Sequence, residues 1–95
     1  MNAIESKVQA SFDAAQLTPM PWSSPPNASY GAHDHHAPKL LFCTQGLITF
    51  TLYQGGGRKE VTLKPGDRLD LPAHTQHSAV VGPDGVTCWE AFKED

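Results

Sequence analysis

The sequence predicts an all-β domain, a sandwich or barrel, with one short helix ahead of it. Seven apolar or alternating runs follow one another about eight to ten residues apart, clusters of Gly, Pro and Asp separate them, and a helical apolar period occurs only near the N-terminus. Short strands with turn chemistry between them are the pattern of antiparallel β folds, because each strand must reverse before the next can pair.

Asn2 and Glu5 stand as a capping pair, in which each side chain accepts the other's orphan backbone N–H. Ile4, Val8, Phe12 and Ala15 then recur at helical spacing until Thr18-Pro19, which predicts an amphipathic helix over residues 3–16. Its narrow apolar stripe suits packing across a sheet or against a partner subunit. Pro19, Pro21, Pro25 and Pro26 surround Trp22, which rules out a long helix and predicts an extended connecting arm that sets the indole against the body.

Strands are expected at Ser29 to His35, Leu40 to Gln45, Leu47 to Gln54, Arg58 to Leu63, Arg68 to Leu71, His77 to Val81 and Val86 to Phe92. Gly46 interrupts two apolar runs, Gly55-Gly56-Gly57 supplies the freedom for a hairpin, and Pro65-Gly66-Asp67 and Gly82-Pro83-Asp84-Gly85 make tight turns. The glycine triplet is no phosphate cradle, since neither Lys-Ser/Thr nor a helical pattern follows it. The chain thus divides into a helical segment, residues 1–18, and a single β domain, residues 19–95.

Seven basic residues against ten acidic ones give a net charge of −3, and the basic residues are scattered, so no track for a phosphate backbone exists and nucleic acid is not expected as a partner. No apolar run approaches the roughly 18 residues of a membrane span, and Met1 to Ala10 lacks the basic-then-apolar order of a secretory signal. A cytoplasmic location is the expectation. Cys43 and Cys88 show no short-range pairing pattern and read as reduced thiols packed in the interior. A chain of 95 residues buries little more than about 60% of its unfolded surface and gains from a metal or from pairing with a copy of itself, so a homodimer is expected.

The histidines carry the chemistry. All five fall in two groups, His33, His35 and His36 ahead of an apolar run and His74 and His77 after a Pro-Gly-Asp turn. A transition ion needs about three or four nitrogen, sulfur or carboxylate donors converging on one point, and neighbouring strands can supply them. On a strand His33 and His35 project to one face while Asp34 and His36 project to the other, so the first pair are candidate ligands and His36 a surface ring.

From Trp22 to Phe92 the chain resembles a small single-domain cupin, a jelly-roll β-barrel family. His33-Asp34-His35 and Gly46 match the first motif of that family, with Lys39 standing where its Glu would be. Gly66, Pro72-Ala73 and His77 match the second, with His74 in place of a glycine. The resemblance implies a barrel with a short N-terminal helix, and a divalent transition metal (Zn, Ni, Fe, Mn or Cu) held by His33, His35 and His77 in its interior. His74 is then either a rim residue or a fourth nitrogen donor.

Lys39 is the departure with the largest chemical consequence, because an ammonium repels an ion that a carboxylate would attract. Either Lys39 snorkels to the rim beside a three-histidine centre, or the pocket holds an anionic small molecule against Lys39 and the histidines. Leu41 and Cys43 share parity with Lys39 and are expected in the pocket wall, with Phe50 and Glu90 as further candidates. Leu40 and Phe42 face the other way and need cover from the helix or a second subunit. Two functions fit these residues: a metal-dependent enzyme of dioxygenase or isomerase type on a small organic substrate, and a non-catalytic small-molecule or metal sensor.

Overall fold

The capping pair forms as read: Asn2 accepts the Glu5 N–H at 2.8 Å, and Glu5 Oε1 accepts the Asn2 N–H at 3.0 Å. The computed structural model describes residues 1–93, and this pair opens its one helix, α1 (Ala3–Ala14). The helix stops earlier than Thr18-Pro19. Leu17 N–H reaches Phe12 O at 2.9 Å and Gln16 N–H reaches Asp13 O at 3.0 Å, with Gln16 left-handed at φ 59°, so three more residues close the last turn's carbonyls.

Six strands follow: β1 (Met20–Ser24), β2 (Ser29–His33), β3 (Lys39–Gln54), β4 (Gly57–Leu63), β5 (Arg68–Leu71) and β6 (Gln76–Phe92). The proline-rich arm is therefore more than a connector, because its Met20–Ser24 stretch pairs antiparallel with β6 from Glu90 to Val86. Pro21 is tolerated there because β1 lies at a sheet edge, where one side of the strand needs no ladder partner.

Strands β3 and β6 are the long members and pair along their whole length. The first half of β3 and the last half of β6 are flanked by β5 and β1, and the other halves are flanked by β4 and β2. Two four-stranded layers result, and one core cluster joins Leu41, Cys43, Leu69, Leu71 and Cys88 of the first to Ile48, Phe50, Leu52, Leu63, Ala79 and Val81 of the second. Ile48, Phe50 and Leu52 are buried, as their alternation with Thr49, Thr51 and Tyr53 requires.

Two of the expected breaks lie inside strands. Gly46 pairs with Val86 and Ile48 with Val81, so residues 82–85 bulge opposite Leu47 alone, where the chain passes from one layer to the other. Gly46 sits at φ +78°, and a Cβ there would run into the Gly85 carbonyl, so glycine is required by the close approach. The true reversals behave as read. Gly55 and Gly56, both with positive φ, join Gln54 to its partner Gly57, and Asp67 N–H reaches Lys64 O at 2.9 Å across Pro65-Gly66.

Val8 and Phe12 of α1 bury Leu40 and Phe42 in a second cluster, with the Phe12 and Phe42 rings 5.5 Å apart. Of the two covers expected for that strand face, the helix supplies it, and Leu40 and Phe42 create no demand for a second subunit. Trp89 packs in this cluster. Among the described residues no helix is long and apolar enough to cross a membrane.

Candidate metal centre

His33, the last residue of β2, lies directly opposite His77 near the start of β6. His35 follows two residues past the strand, and one ligand atom from each of the three rings lies within 4.8 Å of the others. Ring centroids are 4.4 Å apart for His33 and His77, 5.0 Å for His33 and His35, and 5.3 Å for His35 and His77. Ligands bonded to one ion at about 2.0–2.1 Å stand roughly 3.0–3.5 Å from each other, so the three rings would have to draw closer to share one.

Two of the rings are already oriented. His33 Nδ1 lies 2.8 Å from Gly31 O and His77 Nδ1 lies 2.9 Å from Thr75 O. A carbonyl oxygen only accepts, so each Nδ1 carries the proton and each Nε2 keeps a lone pair for an ion. His77 is buried, His35 half-buried and His33 exposed, which leaves the cluster open to solvent on one side. The donor chemistry, three imidazole nitrogens with room for further ligands, fits a divalent transition ion.

Of the two readings of Lys39, the structure does not show the rim. Lys39 is buried, with Nζ 3.1 Å from Glu90 Oε2 and 3.4 Å from His35 Nε2, and it lies 5.0 Å over the Phe92 ring. Glu90 Oε1 accepts the Trp22 indole N–H at 2.7 Å, so both carboxylate oxygens are engaged. The acid missing from the first motif is thus matched by one from the last strand, which neutralises the ammonium beside the histidines.

These groups line a pocket of about 360 Å³ whose apolar floor includes Leu41, Ile48, Phe50, Leu71 and Ala79. Leu41, Phe50, Lys39 and Glu90 all line it. Cys43, expected in the wall with them, is not there: it is fully buried in the core cluster below the floor, opposite Cys88, and does not reach the cavity. His74 stands apart from the three-histidine set. It is exposed with φ +58°, donates its backbone N–H to His35 O at 2.8 Å, and its ring lies against His36. That is the rim position of its two readings, and it supports the loop carrying His35.

Sequence reasoning missed Trp22 and Tyr30 as pocket walls. Tyr30 is three residues from His33, which on a regular strand means opposite faces. The register shifts between them, and the extra residue returns Tyr30 to the inner side.

Burial lowers the pKa of His35 from 6.5, and the neighbouring Lys39 lowers it further; burial is likewise the main cause of the lowering at His77. In the folded chain both rings resist protonation, so on acidification the unfolded state binds protons first. The stability these groups contribute is full above about pH 6.5 and is lost as the pH falls through their folded values. Thermal melting of metal-free protein should therefore drop steadily between about pH 7 and pH 5, and a flat profile would contradict burial of the two rings.

No protein-family model matches the chain, and no curated protein sequence matches it. Its fold is similar to that of solved structures. Bacillus subtilis oxalate decarboxylase, a protein with Mn(II) centres, superposes with a TM-score of 0.73 at 18% identity, covering 80% of this chain and 20% of that one. The Drosophila melanogaster CENP-C cupin domain gives 0.74 at 11% identity over 79% of this chain and 59% of that domain's chain. A cupin superfamily protein from Desulfitobacterium hafniense gives 0.68 at 21% identity over 81% and 66%. The chain spans about a fifth of the length of the oxalate decarboxylase it matches. The likeness to these structures rests on the fold, and it shows what the chain is: a small protein of cupin fold.

Proposed function

We propose that this protein binds a divalent transition metal through His33, His35 and His77 and takes a small organic molecule in the adjoining pocket. The observation that carries the reading is the convergence of three imidazole nitrogens within 4.8 Å, two of them held with Nε2 free by backbone carbonyls. The Mn(II) centres of the oxalate decarboxylase of similar fold support a metal of this class.

A bound ion supplies a Lewis-acid centre with open positions for a ligand. The chain's own groups do the rest. Lys39 shares the His35 Nε2 region and competes for that lone pair, while Glu90 holds the ammonium and Trp22 holds Glu90, so an ion on His35 would take that lone pair and leave the ammonium its partner in Glu90. Leu41, Ile48, Phe50 and Ala79 exclude water from the pocket floor and favour a ligand with an apolar body. The volume, about 360 Å³, suits a small organic molecule.

The test is metal content after metal-replete expression and dialysis. About one ion per chain is expected, retained in His36→Ala because His36 points away from the cluster. A metal-free protein, or one whose ion is lost with His36, would overturn the reading.

A further inference from the structure

The two cysteines stand outside the metal chemistry. Cys43 of β3 and Cys88 of β6 face each other as direct partners in the antiparallel ladder, both are fully buried, and both are free. Their pairing site has a definite type. Cys43 N–H bonds Asp67 O at 3.1 Å and Cys43 O accepts from Gly66 N–H at 2.8 Å, so both of its backbone groups point away from β6. Cys43 and Cys88 therefore form a non-hydrogen-bonded pair, the closer of the two kinds, with Cα atoms about 4.5 Å apart. That spacing lies within the roughly 4.4–6.8 Å a disulfide spans.

We propose that Cys43 and Cys88 are a redox site, closing a reversible cross-strand disulfide when the protein meets hydrogen peroxide. The route inward is the pocket: Leu41 and Glu90, themselves ladder partners that line it, sit two residues before Cys43 and two after Cys88 on the same faces. Ladder irregularities on the far side of Cys43, between Cys43 and Gln45 and between Gly46 and Ile48, loosen the strand there. The Cys43 thiol donates to Gln45 O at 3.4 Å and to Gly46 O at 3.7 Å within this irregular stretch, while the neighbouring thiol and burial raise the pKa of Cys88. Cys43, beside the break in the ladder, is the attacking sulfur, and Cys88, in the regular part of its strand, the resolving one.

The step balances with the oxidant named. The Cys43 sulfur breaks the peroxide O–O bond and becomes a sulfenic acid, releasing one water; the Cys88 sulfur then displaces the hydroxyl as a second water and forms the S–S bond. Both thiol protons end in water, and a dithiol reductant reverses the reaction.

Because the chain holds only two cysteines, thiol titration in denaturant after peroxide treatment of the folded protein reads the outcome directly. The expected result is a fall from two thiols per chain to none, on a chain that stays monomeric in a non-reducing denaturing gel, with both thiols restored by dithiothreitol. Two thiols still present, disulfide-linked dimers, or an oxygen-bearing mass that dithiothreitol does not remove would overturn it. Cys88→Ser provides a second reading, in which Cys43 carries a dimedone-trappable sulfenic acid; no adduct in that variant, if it melts as the wild type does, also counts against the proposal.

Discussion

His77→Ala is expected to lower affinity for a divalent transition ion by at least about 100-fold, since even indirect partners of metal ligands cost about 10–100-fold when removed. His77 is the ligand with the most to lose. It is the buried member of the set, its Nδ1 is fixed on Thr75 O, and it is the direct cross-strand partner of His33. The remaining pair, His33 and His35, lies on the segment running out of β2 and has no ring opposite it to close the set. Metal-dependent stabilisation provides the readout: at a metal concentration about 100 times the dissociation constant the wild type should gain about 2.7 kcal/mol, and the variant almost nothing. Melting the metal-free variant separates this loss from the packing cost of removing a buried ring.

Phe12→Ala is expected to cost about 3–5 kcal/mol, the usual range for deleting a buried phenyl ring. Phe12 is fully buried, its ring meets Phe42, and its carbonyl accepts the N–H that caps the helix. Losing it weakens the cover that the helix gives Leu40 and Phe42, so the helix should fray and the outer face of β3 should open to water. For a domain of this size the melting temperature should fall by roughly 12 °C or more. Metal content should stay unchanged, because the histidines lie on the inner side of the sheets. A loss below about 1 kcal/mol would mean that the helix is not packed on β3 as described.

What the sequence showed and what it hid differ by kind of information. Periodicity is local, so the helix with its cap, the alternation of Ile48, Phe50 and Leu52, and the two-residue spacing of His33 and His35 could be read directly. Register is not local. One reading of Lys39 put it at the rim and the other against a pocket ligand, and neither gave it a partner in the chain; Leu41 pairs with Glu90, and that pairing carries a carboxylate from the last strand to the ammonium. Tyr30 was missed as a pocket wall for the same reason, since one extra residue in the ladder turns it to the inner side.

Turn chemistry misled in another way. Gly46 and Gly82-Pro83-Asp84-Gly85 carry the residues of a chain reversal, but positive φ serves a bulge as well as a turn, and here it bends two long strands from one layer into the other. Cys43 shares parity with the pocket residue Leu41 but lies one step deeper, where Cys88 fills the space beside it. Parity gives the face of a strand and not the depth along it.

The most direct measurement is anomalous diffraction from crystals of metal-loaded protein at the absorption edge of the bound ion. The account predicts one strong peak about 2.0–2.1 Å from a ring nitrogen of each of His33, His35 and His77, with Lys39 Nζ still paired to Glu90. A peak between His36 and His74, or none in crystals grown with saturating metal, would contradict it.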